Sequence, residues 1–419
     1  MILRKKVLFV DDDPALLEII QETMADMAGS WDMTFLGSAR AGLEAFRETP
    51  FDVVVSDLWM PGMNGIELLQ AVQALYPGTI RFILSSSTDR GLAMELVERA
   101  HQFLSKPCNH AYLKTAVNRA LNLGSQVNSE ATKALVARIG QLPAVPALYQ
   151  EINQLLASDR ATLANLGRVI DQDPAMTAMV LKLVNSAFFN LRHTVSSPSE
   201  ALPFLGIDLL KSLVLAHGLF SQVGSFGIPG FTIDHLWQHS LAVAGASRRI
   251  AEAEGVGSLR AADYFTAGIL HDVGMLILAS RFPDEYQRAL ATSLEQGSDL
   301  ESAECHIFGG THGEVGSYLL GLWGLPAPIV QAAAWHNHPR CQEAIGFAPA
   351  VAVHVANVFC VQPGAHEIFT RPTLDREYLA QAGLAHRLEA WREAALGGPG
   401  LIPAGARPQF NQAGRETEG

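Results

Sequence analysis

Cysteine and positive charge are both scarce in this chain. Its four cysteines among 419 residues include no Cys-x-x-Cys pair, which excludes the disulfide framework of a small secreted protein. The formal net charge at pH 7 is −12, whereas a protein that binds nucleic acid by neutralising phosphates is expected to be basic. We therefore expect neither a secreted disulfide scaffold nor direct DNA binding.

The sequence also lacks a secretion signal and a long hydrophobic run. Its start, MILRKKVLFVDDD, passes from a short apolar stretch directly into acidic residues, whereas a signal peptide needs a longer apolar region and a small-residue cleavage site. Apolar helical stretches such as residues 212–220 are too short to cross a bilayer. We therefore expect a cytoplasmic protein without membrane insertion.

Hydrophobic residues, by contrast, are abundant. They make up 48% of the chain against 17% charged residues, which excludes a largely disordered protein. A single core rarely grows beyond about 250–300 residues, so a chain of 419 residues predicts two domains.

Residues 1–120 alternate short β-rich runs with amphipathic helical stretches. The β-rich runs predict five strands at residues 7–10, 33–36, 52–56, 80–84 and 102–105. This alternation is typical of a doubly wound, flavodoxin-like parallel sheet with helices on both faces. In such sheets the chemistry lies at the carboxyl ends of the strands.

Strand signals nearly vanish from Ala134 onward. Apolar residues recur there at helical spacing, as in Leu163, Leu166, Val169 and Ile170, which predicts an all-α domain. The predicted boundaries are a first domain at 1–122, a linker at 123–133, a helical domain at 134–340, a helical extension at 341–395 and a disordered tail at 396–419. The polar linker segment could instead continue the preceding helix.

Acidic residues and a lysine follow the predicted strands of the first domain. Asp11 and Asp12 end the first strand, Asp57 ends the third, Ser85 ends the fourth and Lys106 follows the fifth. Three carboxylates in one cleft repel one another, and Mg²⁺ is the cation best suited to neutralise them. An Asp57 carboxylate could then attack a phosphoryl group. Each acid taken alone could instead be a turn or helix-cap residue.

The segments VLFVDDDP, DVVVSDLWMPGMNGIELL, RFILSS and FLSKP, within residues 4–122, resemble the receiver domain of two-component response regulators. The resemblance implies that Asp57 is the phosphoacceptor and that a sensor histidine kinase is the partner. The Mg²⁺ ligands that it implies are Asp11, Asp12, Asp57 and the backbone carbonyl of Trp59. The residues that it implies for the phosphoryl group and the conformational switch are Ser85, Lys106 and Phe103.

Histidine is concentrated in the predicted helical domain, where eight of the 14 histidines lie within residues 235–354. His271 is followed directly by Asp272. A His-Asp pair together with histidines from neighbouring helices can bind a metal, which could orient a phosphate ester. His271 and Asp272 could instead simply hydrogen-bond to neighbouring helices.

An ordered run of segments resembles the HDOD domain, a helical relative of the HD phosphohydrolases and the HD-GYP cyclic-dinucleotide phosphodiesterases. These segments are IGQLPAVPALYQEI, VIDQDPAMTAMVLKLVNSAFF, EALPFLGIDLLKSLVL, LWQHSLAVA, AGILHDVGMLIL and GLWGLP, within residues 134–340. The resemblance implies a signalling output that has lost catalysis. The ligand positions of the active relatives correspond here to His239, His271, Asp272, His312, His336 and Asn357.

Three positions depart from the active relatives. Asn337 replaces the second histidine of a pair, although His338 is adjacent, Asn357 replaces an acidic ligand, and Met275 replaces a lysine. A two-metal site would therefore lack ligands and negative charge. A mononuclear iron, manganese or zinc site built on His239, His271 and Asp272, with or without Asn357, stays open.

Together these features predict a phosphorylation-controlled response regulator with a non-catalytic output module that acts on a downstream signalling protein. One alternative is a metal-dependent phosphohydrolase or cyclic-dinucleotide phosphodiesterase under receiver control. Another is a nucleotide-binding module. The cognate kinase, the downstream partner, the sign of the response and homodimer formation are left open.

Overall fold

The computed structural model describes residues 4–86, 100, 102–106, 110–126, 130–139, 142–143, 145–158, 160–185, 194–223, 226–342, 345–360 and 372–397. The chain divides into two compact units. One comprises the residues up to Val145 together with Tyr318–Leu325, and the other comprises Pro146–Ser317 and the residues from Pro326 onward.

A parallel β-sheet forms the centre of the first unit. Its strands are β1 (Lys5–Val10), β2 (Trp31–Leu36), β3 (Val53–Asp57), β4 (Ile80–Ser86) and β5 (Gln102–Lys106), in the order β2-β1-β3-β4-β5. Every neighbouring pair is parallel. All five residues of β3 are buried, as expected for a strand covered on both faces. The predicted α/β fold of this part of the chain is confirmed.

The described residues up to Val145 include five helices. They are α1 (Pro14–Thr23), α2 (Ala39–Glu48), α3 (Gly65–Leu75), α4 (His110–Gln126) and α5 (Glu130–Ile139). Helix α3 begins with a capping box, in which Asn64 accepts from the Glu67 amide and the Glu67 side chain accepts from the Asn64 amide. The segment predicted as a linker, residues 123–133, is helical up to Gln126 and again from Glu130. Its first part thus continues the preceding helix, as the alternative interpretation had it. Residues 127–129 lie outside the described part.

Gly65 allows the start of α3 to approach the end of β3. Its amide donates to the Leu58 carbonyl over 2.9 Å. A Cβ at this position would lie 2.0 Å from the backbone oxygen of Asp57, which no side chain tolerates without backbone movement. Glycine is therefore required beside the residue predicted to accept the phosphoryl group.

The described part of the second unit is helical throughout, as predicted. Its helices before the histidine-rich region are α6 (Ala147–Leu156), α7 (Leu163–Asp171), α8 (Pro174–Val184), α9 (Pro198–Leu205) and α10 (Ile207–Ser221). Those that follow are α11 (Ile233–Ala253), α12 (Ser258–Leu270), α13 (Val273–Arg281), α14 (Pro283–Gln296), α15 (Leu300–Phe308), α16 (His312–Leu322), α17 (Ala327–Trp335), α18 (Pro349–Phe359), α19 (Arg376–Gln381) and α20 (Leu388–Leu396). Helix α16 begins in this unit, and its residues from Tyr318 onward belong to the first.

Small residues bring the helices of this unit close together. Val243 and Ala246 of α11 pack with Ala267 of α12, Val351 of α18 and Trp391 of α20 in one buried cluster. The indole of Trp391 also donates to the Glu254 carboxylate over 2.7 Å. The predicted C-terminal extension thus shares the core of the helical unit. The predicted disordered tail lies outside the described residues beyond position 397.

One helical segment among the described residues is long and apolar enough to span a membrane, namely Arg260–Arg281. The expectation that every apolar stretch is too short is therefore wrong by length and composition. However, 89% of the apolar window is buried inside the unit, as in a core helix. This segment also contains His271 and Asp272.

Candidate functional site

The acidic residues of the first unit meet at the carboxyl edge of the sheet. Strands β1 and β3 are neighbours, with Val10 paired to Ser56, so the residues that end them lie side by side. One carboxylate oxygen from each of Asp11, Asp12 and Asp57 lies within 4.8 Å of the others. Asp11 and Asp57 are buried, whereas Asp12 is exposed. Clustered carboxylate oxygens are the ligands that Mg²⁺ accepts.

Lys106 contributes the positive charge of this pocket. Its Nζ lies 2.8 Å from Asp11 Oδ2 and forms a second ion pair with Asp57. The backbone amide of Trp59 donates to Asp57 Oδ2 over 3.0 Å. Burial raises the pKa of Asp57, opposed by Lys106 and the Trp59 amide and assisted by Asp11. One lysine against three carboxylates leaves an excess of negative charge, which fits a divalent cation.

Two predicted receiver residues are described only by their backbone. Ser85 on β4 pairs with Ser105, and Phe103 on β5 pairs with Ile83. Their side chains lie outside the described part, so their predicted roles stay predictions. The indole of Trp59 is 53% exposed.

In the second unit, Asp272 lies between two pairs of histidines. His271 and Asp272 connect α12 to α13, and the histidines around them come from α11, the start of α16 and the residue after α17. Asp272 Oδ2 lies 3.0 Å from His271 Nε2 and 3.6 Å from His239 Nε2. Asp272 Oδ1 lies 3.3 Å from His336 Nε2 and 3.6 Å from His312 Nε2. The structure thus brings five of the predicted ligands together.

The hydrogen bonds of three histidines orient their Nε2 atoms toward Asp272. His271 Nδ1 lies 2.7 Å from the Gly268 carbonyl, His336 Nδ1 lies 3.0 Å from the Ala333 carbonyl, and His312 Nδ1 lies 2.7 Å from Glu304 Oε2. Because each of these partners accepts a hydrogen bond, Nδ1 carries the proton in the neutral ring and Nε2 carries a lone pair. This is the tautomer in which histidine binds metal.

Two buried atoms of this cluster make no hydrogen bond. His271 Nε2 and Asp272 Oδ1 are both buried and make no hydrogen bond, which is costly unless another ligand satisfies them. The donor atoms of His239, His271 and Asp272 lie within 4.8 Å of one another, as do those of Asp272, His312 and His336. This imidazole and carboxylate set fits iron, manganese or zinc.

Burial and neighbouring charges shift the pKa values of these residues. Burial lowers the pKa of His239 to about 4. Burial also lowers the pKa of His312, but Glu304, Glu301 and Asp272 outweigh it and raise that pKa to about 10. Burial raises the pKa of Asp272, but its histidine neighbours hold it well below the usual value.

Two acidic residues that the sequence analysis missed adjoin this cluster. Glu304 of α15 is fully buried, and its Oε2 accepts from both the backbone amide and Nδ1 of His312. Glu301 lies one turn earlier, with its Oε2 3.0 Å from His338 Nε2. The spacing of these two glutamates places them on one face of α15. This i, i+3 spacing of two glutamates shortly before His312 is the sequence feature from which their contact with the histidines could have been predicted.

The three departures from the active relatives occupy different surroundings. The side chain of Asn337 reaches His336, His312 and Glu301. Asn357 is buried and hydrogen-bonds to His239. Met275 is buried one turn after Asp272. His338 is 51% exposed and pairs with Glu301, and none of the described contacts joins it to Asp272.

Family models match both parts of the chain. The model of the response regulator receiver domain matches residues 7–118, and that of the HDOD domain matches residues 142–339. An uncharacterized protein of Treponema pallidum (strain Nichols) is 26% identical over 225 residues, covering 52% of this chain and 42% of that protein. The response regulator protein PilR of Pseudomonas aeruginosa is 29% identical over 158 residues, covering 37% of this chain and 34% of PilR. The chain thus spans less than half the length of these curated relatives.

Solved structures resemble each part separately. An HDOD domain protein of unknown function from Geobacter sulfurreducens aligns with a TM-score of 0.48 and 25% identity, covering 68% of this chain and 90% of that one. The signal receiver domain of an HD domain-containing protein from Pseudomonas fluorescens Pf-5 aligns with a TM-score of 0.27 and 26% identity, covering 28% of this chain and 88% of that one.

Proposed function

Because the chain contains a response regulator receiver domain followed by an HDOD domain, we propose that it is a cytoplasmic signal-transduction protein controlled by phosphorylation of Asp57. A sensor histidine kinase supplies the phosphoryl group. The HDOD domain is a non-catalytic output that binds a downstream signalling protein, not DNA.

The surroundings of Asp57 carry this proposal. One of its carboxylate oxygens pairs with Lys106 and the other accepts from the Trp59 amide, while Asp11 lies beside it. An oxygen of Asp57 forms the new bond to phosphorus, and the bond from phosphorus to the donor breaks with its electron pair on the donor. Lys106 remains within reach to balance the charge of the phosphoryl oxygens.

A divalent cation belongs to this chemistry. Asp11, Asp12 and Asp57 would hold Mg²⁺, which when bound supplies the charge that lets an anionic phosphoryl group approach three carboxylates. The added phosphoryl group brings about −1.5 to −2 charges. We infer that this local change of charge biases the conformation of the receiver, with Ser85 and Phe103 as the switch residues.

Phosphorylation of Asp57 is tested with a small phosphodonor such as acetyl phosphate. The full-length protein should gain one acid-labile phosphoryl group in the presence of Mg²⁺, and chelation with EDTA should prevent it. Asp57→Ala should gain none, whereas Asp32→Ala, which alters an exposed acid of the same unit, should react as the unaltered protein does. Equal labelling of Asp57→Ala would overturn the assignment.

We further propose that the HDOD domain holds a structural transition metal through His239, His271 and Asp272. The lone pair of His271 Nε2, buried without a hydrogen bond beside Asp272, supports this. The proposal that catalysis is absent is supported by Met275, which offers an apolar side chain where a lysine would contact a substrate phosphate.

Metal content after passage through a chelating resin tests this second part. The resin strips loosely held Mg²⁺, and elemental analysis should find iron, manganese or zinc in the full-length protein. His271→Ala should lose this metal, whereas His306→Ala, which alters an exposed histidine of the same unit, should keep it. Absence of retained metal from all three proteins would overturn metal binding and leave the receiver proposal intact.

One observation favours a second candidate, a metal-dependent phosphohydrolase. Two donor groups share Asp272, as in enzymes that clamp a phosphate between two metals. Metal-loaded protein should be assayed on p-nitrophenyl phosphate and a cyclic dinucleotide. We expect no hydrolysis, and hydrolysis that His271→Ala abolishes would favour the enzyme.

A further inference from the structure

The side-chain amide of Asn337 lies among atoms that would otherwise bind a cation. Its Nδ2 is 2.9 Å from His336 Nε2, 3.0 Å from Glu301 Oε1 and 3.4 Å from His312 Nε2. A carboxylate oxygen only accepts hydrogen bonds, so the amide must present its NH₂ group and not its oxygen. The lone pair of His336 Nε2 is a second acceptor for the same group.

The atoms around this NH₂ group are a metal-binding set. Two imidazole nitrogens and one carboxylate oxygen face it, and Asp272 Oδ1 lies 3.3 Å from His336 Nε2. Metal–ligand distances at such atoms are about 2.0–2.2 Å. The Asn337 amide therefore occupies the space that an ion bound to these ligands would need. The hydrogens of its NH₂ group carry partial positive charge and interact with the acceptor atoms that would otherwise bind the ion.

On the other side of Asp272, His271 Nε2 is buried and makes no hydrogen bond, and Asp272 Oδ1 on the Asn337 side makes none either. Asn357 is buried on the His271 side and hydrogen-bonds to His239. Asn337, by contrast, directs its NH₂ group toward His336 and His312.

We propose that Asn337 closes the metal position between Asp272, His312 and His336, here called the second metal position. The chain then holds metal only on the His239 side of Asp272. The amide nitrogen of Asn337 takes the place of the second cation. This inference rests on the proposed metal binding and deepens it, because it sets the number of ions. It also gives a physical reason for the absence of hydrolysis, since a phosphate cannot be clamped between two metals when one position is filled by protein.

The test uses Mn²⁺ as the probe on full-length protein. All samples carry Asp11→Asn, which impairs the receiver pocket, and metal is counted after passage through a chelating resin. The decisive variant is Asn337→Asp, which keeps the shape of the side chain and replaces the NH₂ group with a ligating oxygen. Asn337→Ala is the second variant, because it vacates the position without adding charge. Asn357→Asp is the matched control on the His239 side.

The unaltered site should retain about one Mn²⁺ per chain, with the six-line paramagnetic resonance spectrum of an isolated ion. Asn337→Asp should retain about two, with the broadened spectrum of two exchange-coupled ions that share the Asp272 carboxylate. The Asn357→Asp control should retain about one. Circular dichroism establishes that each variant is folded.

Each other outcome also decides the question. Two ions in the unaltered site would overturn the role of Asn337 while leaving the proposed metal binding intact. One ion in the unaltered protein and in both Asn337 variants would overturn it as well. No ion in the unaltered protein but one in Asn337→Asp would support closure by the amide and overturn metal binding on the His239 side. No ion in any sample would overturn both.

Discussion

Three carboxylates share one lysine in the first unit, whereas in the second unit Asp272 lies among four imidazoles, one of which also pairs with Glu304. The receiver pocket has an excess of negative charge and keeps Asp12 exposed, so a cation can enter and leave. In the Asp272 cluster, by contrast, His271, His312 and His336 are at most 1% exposed. Together with the proposed metal binding, this difference predicts exchangeable Mg²⁺ in one unit and a resident metal in the other.

The two sites also differ in how the backbone builds them. Strand ends carry the receiver residues, and strand pairing brings those ends together. Helix ends carry His271, Asp272, His312 and His336, and close helix packing brings them together. A buried glycine permits the approach in both cases, at Gly65 beside Asp57 and at Gly274 beside His312.

The largest effect is expected from Asp272→Asn. This change removes the negative charge that the histidines share, so the retained transition metal should be lost completely. Asp12→Asn, which changes an exposed acid of the receiver pocket, should only weaken Mg²⁺ binding, because Asp11 and Asp57 remain. Elemental analysis and Mg²⁺ titration measure the two effects. If Asp272→Asn retained its metal, the helical site would not depend on a single carboxylate, and the proposed difference between the two sites would be wrong.

Gly274→Ala should disrupt the helical site next most strongly. The added Cβ would lie 1.9 Å from the backbone oxygen of His312, and the clash should cost about 2–3 kcal/mol in the free energy of unfolding. Gly257→Ala has nothing within 4 Å of its Cβ and, because Gly257 is the N-cap of α12, should cost no more than about 1 kcal/mol. Urea unfolding compares the two variants, and equal stabilities would contradict the tight approach of α13 to α16.

Gly65→Ala is the corresponding change in the receiver. Its Cβ would lie 2.0 Å from the Asp57 backbone oxygen, so we expect a loss of about 1–3 kcal/mol and slower phosphorylation by acetyl phosphate. Gly78→Ala meets no atom within 4 Å and serves as the control for both measurements. A normal phosphorylation rate in Gly65→Ala would show that the position of Asp57 tolerates the displacement.

Glu304→Gln should have the smallest effect in the unaltered protein. Glu304 orients His312, which lies on the side that Asn337 closes, so the affinity for the retained metal should change little. In the Asn337→Asp background the same change should weaken the second ion by about 10–100-fold, as expected for the partner of a ligating histidine. Competition with a chelator measures both affinities, and a large loss in the unaltered protein would indicate that His312 already binds metal.

The meeting of the carboxylates and the lysine of the receiver pocket could be predicted from the sequence. Alternating strands and helices fix a parallel sheet, and Asp11, Asp57 and Lys106 follow strands whose ends must share one edge. The approach of Gly65 to Asp57 was not predicted, because it depends on how closely α3 starts behind β3. Strand patterns thus locate residues on an edge but not their separations.

The helical site was predictable only in part. His239, His271, Asp272, His312 and His336 were proposed through a resemblance, since helical periodicity does not fix which helix ends meet. Glu304 was missed because its contact with His312 depends on how α15 leads into α16. The orientation of the Asn337 amide depends on Glu301, far away in the sequence, and no local pattern encodes it.

The exposed indole of Trp59 has an optical consequence. Of the six tryptophans, Trp59 is 53% exposed and lies two residues after Asp57, whereas Trp335 is partly buried and the other four are at most 7% exposed. Collisional quenchers such as acrylamide reach an exposed indole first. The quenchable part of the emission should therefore come mainly from the edge of the receiver pocket. Full-length protein carries its own fluorophore for following Mg²⁺ binding and phosphorylation in real time, without an attached dye.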